Sequence, residues 1–178
     1  MDRRYRVGII GGGQLARMMQ QAAIGLGIEI RLLAEGPDVS AAQVVPLTTV
    51  GDYTHLGSLE SFAAGCDVIT FDHEHVPTRH LRVLQDRVAV RPGPEPLEFA
   101  QDKARMRERL SELGVPCPAF AICRTPQELT AFGEARGWPV IAKTSRGGYD
   151  GKGVWKLSGP GETQLPFDAK PEISAGEE

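Results

Sequence analysis

The sequence predicts an α/β chain: a doubly wound parallel sheet over the first hundred residues, then a smaller second unit. Three observations predict it. Short apolar runs alternate with segments of helical periodicity from Tyr5 to Val90. Three glycines, Gly11 to Gly13, fall between the first such run and the first helical segment. The character then changes near Gln101, where a strongly charged helical pattern begins. Strand–helix alternation at this spacing implies right-handed crossovers, with helices on both faces of the sheet.

Each element has its own reason. Tyr5 to Ile10 is an apolar run that ends in glycines and reads as a buried strand. Gln14 to Leu26 carries Leu15, Met18, Met19, Ala22, Ala23 and Leu26 at helical spacing, and Gly27 stops it. Ile28 to Ala34 is a second strand, closed by Glu35-Gly36-Pro37, and Val44 to Leu47 is expected as a short third. His55 to Ala64 reads as a helix, Asp67 to Phe71 as a strand, Pro77 to about Asp86 as a helix, and Val88 to Val90 as a last strand. In the second unit Asp102 to Leu113 is a helix ended by Gly114, followed by a strand from Ala119 to Cys123. A helix from Pro126 to Arg136 precedes strands at Pro139 to Lys143 and Val154 to Leu157. The glycine-rich stretch between those two strands reads as the tip of an antiparallel hairpin. Its apolar residues Val140, Ile141, Val154 and Trp155 are expected to lack a covering layer. The predicted boundaries are thus 1–100, 101–157 and a tail, 158–178. That tail holds five acids and one base without periodicity and is expected to be disordered.

Composition narrows the function. Lys+Arg 20 against Asp+Glu 23 gives a net charge of -3, which argues against nucleic acid as a partner. No apolar run reaches the roughly 18 residues that span a bilayer, and no signal-peptide core follows the basic start. Three cysteines, Cys66, Cys117 and Cys123, fit no metal spacing and read as reduced thiols, so a cytoplasmic location is expected.

Three places can carry chemistry. Gly11-Gly12-Gly13-Gln14-Leu15-Ala16 fits G-x-G-x-x-A, and Glu35 lies 22 residues past Gly13, where a ribose-binding acid would sit. An NAD-binding oxidoreductase through Gly11, Gly13 and Glu35, another anionic ligand, or plain strand–helix packing all remain open from this motif. Phe71-Asp72-His73-Glu74-His75-Val76-Pro77 begins at the end of a central strand, where open sheets place ligands. Its histidines raise the possibility of a metal. Consecutive residues of an extended segment point to opposite sides, however, so Glu74 as acceptor for a ligand hydroxyl is favoured. Lys143 beside Gly147-Gly148-Tyr149-Asp150-Gly151-Lys152-Gly153 is a phosphate-handling arrangement: a cation next to backbone N–H groups freed by glycine. It is not a Walker A loop, because Gly153 follows Lys152 where Ser or Thr is required. A surface hairpin with a mobile tip is the plain alternative.

Four segments in order carry a resemblance: GGGQLARMM from Gly11, TFDHEHVP from Thr70, QDKARMRERLSELGVPCPAF from Gln101 and KTSRGGYDGKGVW from Lys143. Together they resemble the ATP-grasp family, in its ribonucleotide-carboxylating branch of de novo purine biosynthesis. The resemblance covers residues 1 to about 157. It implies a Rossmann-like pre-ATP-grasp domain followed by the first part of an ATP-grasp domain. It implies a ligase that joins ATP, bicarbonate and 5-aminoimidazole ribonucleotide into the N5-carboxylated nucleotide, ADP and phosphate, with Mg2+ and with a homodimer in the complete enzyme. By the same resemblance Lys103, Lys143 and the stretch Gly148, Tyr149, Asp150, Gly151, Lys152, Gly153 and Val154 would bind ATP. Gly13, Gln14, Leu15 and Glu74 would hold the ribonucleotide. The magnesium ligands and the adenine clamp lie in a C-terminal stretch of the family that nothing after Leu157 resembles. The chain is therefore expected to be a truncated form without turnover, and no catalytic residue is assigned. A non-catalytic nucleotide-binding module is the other reading beside the NAD one.

Overall fold

The computed structural model describes residues 4–147, 152–165 and 173–177, the last of these by backbone alone. The chain divides into two compact units, Met1–Leu97 and Glu98–Glu178.

In the first unit β1 (Arg6–Ile10), α1 (Gln14–Leu26), β2 (Glu29–Ala34), β3 (Leu47–Val50), α2 (Leu56–Ala63), β4 (Val68–Phe71), α3 (Thr78–Gln85) and β5 (Ala89–Val90) alternate as expected. The strands form one parallel sheet in the order β3-β2-β1-β4-β5. Successive side chains of a strand point to opposite faces, so Ile9 and Ile10 are both fully buried, on opposite sides. Ile10, Leu33 and Ile69 pack with Leu59 and Phe62 of α2 and Leu81 and Leu84 of α3. Ile9, Leu32 and Ala34 pack with Ala16 and Ala23 of α1. Each fully buried Ile or Leu contributes about 1.5–3 kcal/mol, which explains why both faces must carry helices. α1 ends where Gly27, at φ 66, turns its N–H back onto Ala23 and Ile24.

The third strand lies later than expected, at Leu47–Val50 rather than Val44–Leu47. Val44 and Val45 both donate to the Ala41 carbonyl in a turn, and Val45 is buried. Pro46 has no N–H for a ladder, so pairing starts at Leu47. A further helix, α4 (Pro94–Gln101), has no counterpart among the expected elements and begins with Pro94 and Pro96. Both stand in its first turn, where a missing N–H costs nothing.

The second unit holds α5 (Lys103–Glu112), β6 (Phe120–Cys123), α6 (Pro126–Arg136), β7 (Val140–Thr144), β8 (Val154–Leu157), a 3-10 turn at Pro160–Glu162, and β9 (Ile173–Glu177). α6 starts with a reciprocal cap: Thr125 Oγ1 accepts from Glu128 N, and Glu128 Oε2 accepts from Arg124 N. β7 and β8 form the expected antiparallel hairpin, with Lys143 opposite Val154.

Two expectations need correction here. The hairpin is covered: Leu129 and Phe132 of α6 pack on Val140, Ala142 and Leu157, with Trp155 against the same cluster. Val154 alone of the four named residues is fully on the surface, at 40% exposure. The tail is also not without structure, because β9 pairs antiparallel with both β6 and β7 in the order β6-β9-β7-β8. A strand held on both edges has its backbone groups satisfied by neighbours, so Ser, Ala and Gly suffice where propensity alone would argue for coil. Among the described residues no helix is long and apolar enough to cross a membrane.

Candidate functional site

Two glycine-rich turns were singled out, and the structure gives them different chemistry. The first follows β1. β4 lies directly beside β1, with Ile10 opposite Phe71, so the segment after Phe71 reaches the glycines. Asp72 Oδ2 accepts from Gly13 N at 2.7 Å. Asp72 therefore fills the N-terminal anion position of α1, whose own N-cap residue has no side chain to do so. The glycines make room for it. A Cβ on Gly11, which sits at φ 102, would collide with Asp72 Oδ1, and one on Gly13 would stand 2.7 Å from Oδ2.

Glu35 completes the cluster. Its Oε2 accepts from Gly12 N at 3.0 Å and its Oε1 lies 3.1 Å from His73 Nε2. His75 N donates to His73 Nδ1, which places the neutral ring's proton on Nε2, facing Glu35. Tyr53 packs against the His73 ring at 4.8 Å between centroids. Burial pushes the Asp72 carboxyl above the usual aspartate range, against the pull of His73 and the N–H groups of Gly13 and Ala16. Asp72 Oδ1 is buried with no hydrogen-bond partner among the described residues.

A cavity of about 470 Å³ opens at this point, lined by Gly12, Gly13, Gln14, Leu15, Glu35, Val39, Ser40, Asp72 and His73. Three of the four residues expected to hold a ribonucleotide thus share one wall. The fourth, Glu74, stands outside that lining, 40% exposed and 3.9 Å from His75 Nε2. The amides of Gly12 and Gly13 already serve carboxylates, and two acids face the space where a pyrophosphate would have to sit. That arrangement disfavours the NAD reading, and Glu35 has a structural partner in place of a ribose. No group of three or more His, Cys, Asp or Glu side chains that could hold a metal exists among the described residues. The sequence places Asp72 and His73 in a chemistry-bearing segment but favours Glu74 there, whereas the structure puts Asp72 and His73 on the cavity wall. The available signal was an acid at the end of the strand next to β1, beside glycines too small for their own packing.

The second turn joins β7 to β8. Lys143 stands on β7, and Thr144 N donates to the Gly153 carbonyl at 2.9 Å. Gly153 has φ 68 and no room for a side chain, since a Cβ would lie 2.8 Å from Thr144 Oγ1. Lys103 N donates to the Ser145 carbonyl at 2.8 Å, which brings the start of α5 to the end of β7. Lys103 and Lys143 are therefore gathered at one junction. The Thr144 and Ser145 hydroxyls are buried there with no partner among the described residues. Lys152, Gly153 and Val154 follow at the far limb of the turn, while Gly148, Tyr149, Asp150 and Gly151 lie outside the described residues. Arg105 is committed elsewhere, to Glu98 at 2.7 Å and the Phe99 ring. Cys66 and Cys123 are buried, and burial pushes the Cys123 thiol up to about 11, so neither is a reactive thiolate.

A doubly wound sheet whose glycine turn is filled by its own carboxylates, followed by a sheet with a lysine-flanked glycine turn, defines a class. The model of the ribonucleotide synthetase preATP-grasp domain matches residues 4–101, more than half of the chain, and the chain belongs to that family. The ATP-grasp domain matches residues 108–175. That second match runs past Leu157 and corrects the expectation that the likeness ends there.

The particular relatives agree with one another. The chain is 48% identical over 149 residues to the N5-carboxyaminoimidazole ribonucleotide synthase of Mycobacterium bovis, covering 83% of this chain and 35% of that protein. It is 51% identical over 150 residues to the enzyme of the same name from Corynebacterium ammoniagenes, covering 84% and 36%. The Staphylococcus aureus N5-carboxyaminoimidazole synthetase complexed with ADP superposes with a TM-score of 0.90 at 28% identity, over 99% of this chain and 48% of that one. The Aspergillus clavatus enzyme in complex with ADP and 5-aminoimidazole ribonucleotide gives 0.85 at 26%, over 99% and 47%. The chain thus spans about a third of the length of the curated relatives it matches.

Proposed function

We propose that this chain carries the front half of the machinery of an ATP-dependent ligase that carboxylates 5-aminoimidazole ribonucleotide with bicarbonate. The observation that carries this reading is the junction of Lys103 and Lys143, held together by the Lys103 N–H on the Ser145 carbonyl at the root of a glycine-rich turn. Two cations beside backbone N–H groups suit a polyphosphate. Lys103, Lys143 and residues Gly148 to Val154 are assigned to ATP. Gly13, Gln14, Leu15 and Glu74 are assigned to the ribonucleotide, with residues 1–100 as the domain on that side. In the complete enzyme bicarbonate oxygen attacks the γ-phosphorus and ADP leaves. The exocyclic amine then attacks the carbonyl carbon of the carboxyphosphate, phosphate leaves, and the amine proton is lost. Magnesium, when bound, would supply charge neutralisation at the phosphates. Among the described residues no group of three or more His, Cys, Asp or Glu side chains is placed to hold a metal, and no residue is assigned to magnesium. A cytoplasmic location and a homodimer belong to the same proposal.

The test is calorimetry. ATP is expected to bind the chain in preference to NADH, and Lys143→Ala to weaken it, because a charge near phosphate is lost. Tight NADH binding with no response to Lys143→Ala would reverse the assignment. The chain alone, given ATP, bicarbonate, 5-aminoimidazole ribonucleotide and magnesium, is expected to release no substrate-dependent phosphate.

A further inference from the structure

We propose that Asp102 and Arg146 are positioning residues that set where Lys103 stands relative to the phosphates of a bound nucleotide. The inference rests on the nucleotide reading above.

Asp102 performs two tasks with two oxygens. Oδ1 accepts from Ala104 N at 3.1 Å and Arg105 N at 3.2 Å, which caps α5. Oδ2 accepts from Arg146 Nη1 at 3.0 Å, across 44 residues of sequence. The Arg146 fork is completed by Nη2 donating to Gln101 Oε1 at 3.2 Å. Asp102 and Arg146 also pair through their backbones in an isolated antiparallel bridge. Asn caps a helix as well as Asp does, so the cap does not explain the carboxylate. The side chain of Asp102 is only 9% exposed, and burying a charge is costly unless it is paired. Arg146 is the partner that offsets that cost, and its planar fork grips Asp102 and Gln101 together in a way a lysine ammonium cannot.

The consequence falls on the next residue. Lys103 follows Asp102 and donates its N–H to the carbonyl of Ser145, which precedes Arg146. The brace therefore fixes the point from which the Lys103 side chain departs, at a backbone contact with Ser145, two residues past Lys143. A surface lysine on an ordinary helix start needs no such attachment. Its value lies in holding a flexible four-carbon stem at one place, which reduces the ordering cost of contacting an anion.

The experiment titrates ATP and inorganic tripolyphosphate into the full 178-residue chain and its variants by calorimetry. Asp102→Asn keeps the cap and removes the charge. It is expected to weaken both probes by about five- to tenfold while the melting temperature stays that of the wild type. In a Lys103→Ala background the same change is expected to have no further effect, because it acts through that lysine. Arg146→Gln leaves the Asp102 carboxylate buried without its ion pair, so its melting temperature is expected to fall; titrated well below that temperature, it is expected to give the same loss of binding and the same dependence on Lys103. Losses that persist undiminished in the Lys103→Ala background, or variants that bind like the wild type, would overturn the inference and leave the nucleotide reading standing. A wild-type chain that binds neither probe overturns that reading and this inference with it.

Discussion

The turn after β1 and the turn after β7 are both rich in glycine, yet they use it for opposite ends. In the first, the amides that glycine uncovers are taken by the chain's own acids, Glu35 on Gly12 and Asp72 on Gly13. In the second, the start of α5 meets the strand that carries Lys143, and two hydroxyls are buried without partners among the described residues. A glycine-rich motif therefore signals close approach to the backbone, and only the neighbouring charges decide what approaches. In the first turn internal carboxylates occupy the amides, although Asp72 Oδ1 itself is buried without a partner among the described residues. The second turn sets cations and buried hydroxyls beside its glycines instead.

The largest effect should come from closing the space at the first turn. Gly11→Ala must place a Cβ at φ 102 and against the Asp72 carboxylate. It is expected to destabilise the chain by about 3 kcal/mol, combining left-handed strain with displacement of a buried acid. Gly147→Ala is the matched control in the second turn, at φ 70 with nothing near its Cβ, and should cost about 1 kcal/mol. Urea titrations followed by far-UV circular dichroism measure both. Trp138 and Trp155 both belong to the second unit, so their emission separates the two units' transitions. Equal costs at the two glycines would remove the basis of the contrast.

Next in size is the acid itself. Asp72→Ala removes the acceptor of the Gly13 N–H at the exposed start of α1, and about 2 kcal/mol of stability should be lost. Thr125→Ala, which removes a local cap from α6, should cost about 1 kcal/mol by the same titration. Asp72 exceeds it because its carboxylate ties β4 to β1 as well as capping α1.

How much of this was legible follows from the range of each interaction. α1, α6 and β8 are where apolar spacing and breakers put them, since Gly27, Pro126 and Gly137 act within one turn. Lys103 and Lys143 were legible as cations near glycine, through their likeness to a known order of segments. What was not legible depends on partners far along the chain. Asp72 meets Gly13 across 59 residues, and Asp102 meets Arg146 across 44. β9 is stabilised by two neighbouring strands rather than by its own five residues, Ile173–Glu177. Local periodicity contains none of that information.

The second turn yields a smaller effect of opposite sign. A buried hydroxyl without a partner costs about 1–3 kcal/mol relative to an apolar group of the same shape. Ser145→Ala and Thr144→Val are therefore expected to leave the melting temperature unchanged or raise it by a few degrees. If the turn handles phosphate as proposed, both should at the same time weaken ATP measured by calorimetry, because these polar atoms stand at its root. A clear loss of stability in either variant would mean that the hydroxyl already has a structural partner.

The smallest effect is a pH dependence, and it tests whether the first turn's acid is held at a cost. The Asp72 carboxyl is pushed above its ordinary value mainly by burial. For an acid whose pKa is higher folded than unfolded, the folded state binds more protons between the two values. Stability then falls as pH rises through that window, which begins near pH 4 where an unfolded aspartate titrates. Asp72→Asn cannot lose a proton, so it lacks this dependence while keeping an acceptor oxygen for Gly13. The wild type's stability relative to Asp72→Asn should be greatest at the acid edge of the folding range and should decline as pH is raised from about 4. Melting curves of the two proteins at matched pH values from acid to neutral give the comparison. A difference that instead grows with pH would mean that the α1 N-terminus and His73 outweigh burial. The glycine turn would then be a site that attracts negative charge, with Asp72 as its resident anion rather than a group confined there.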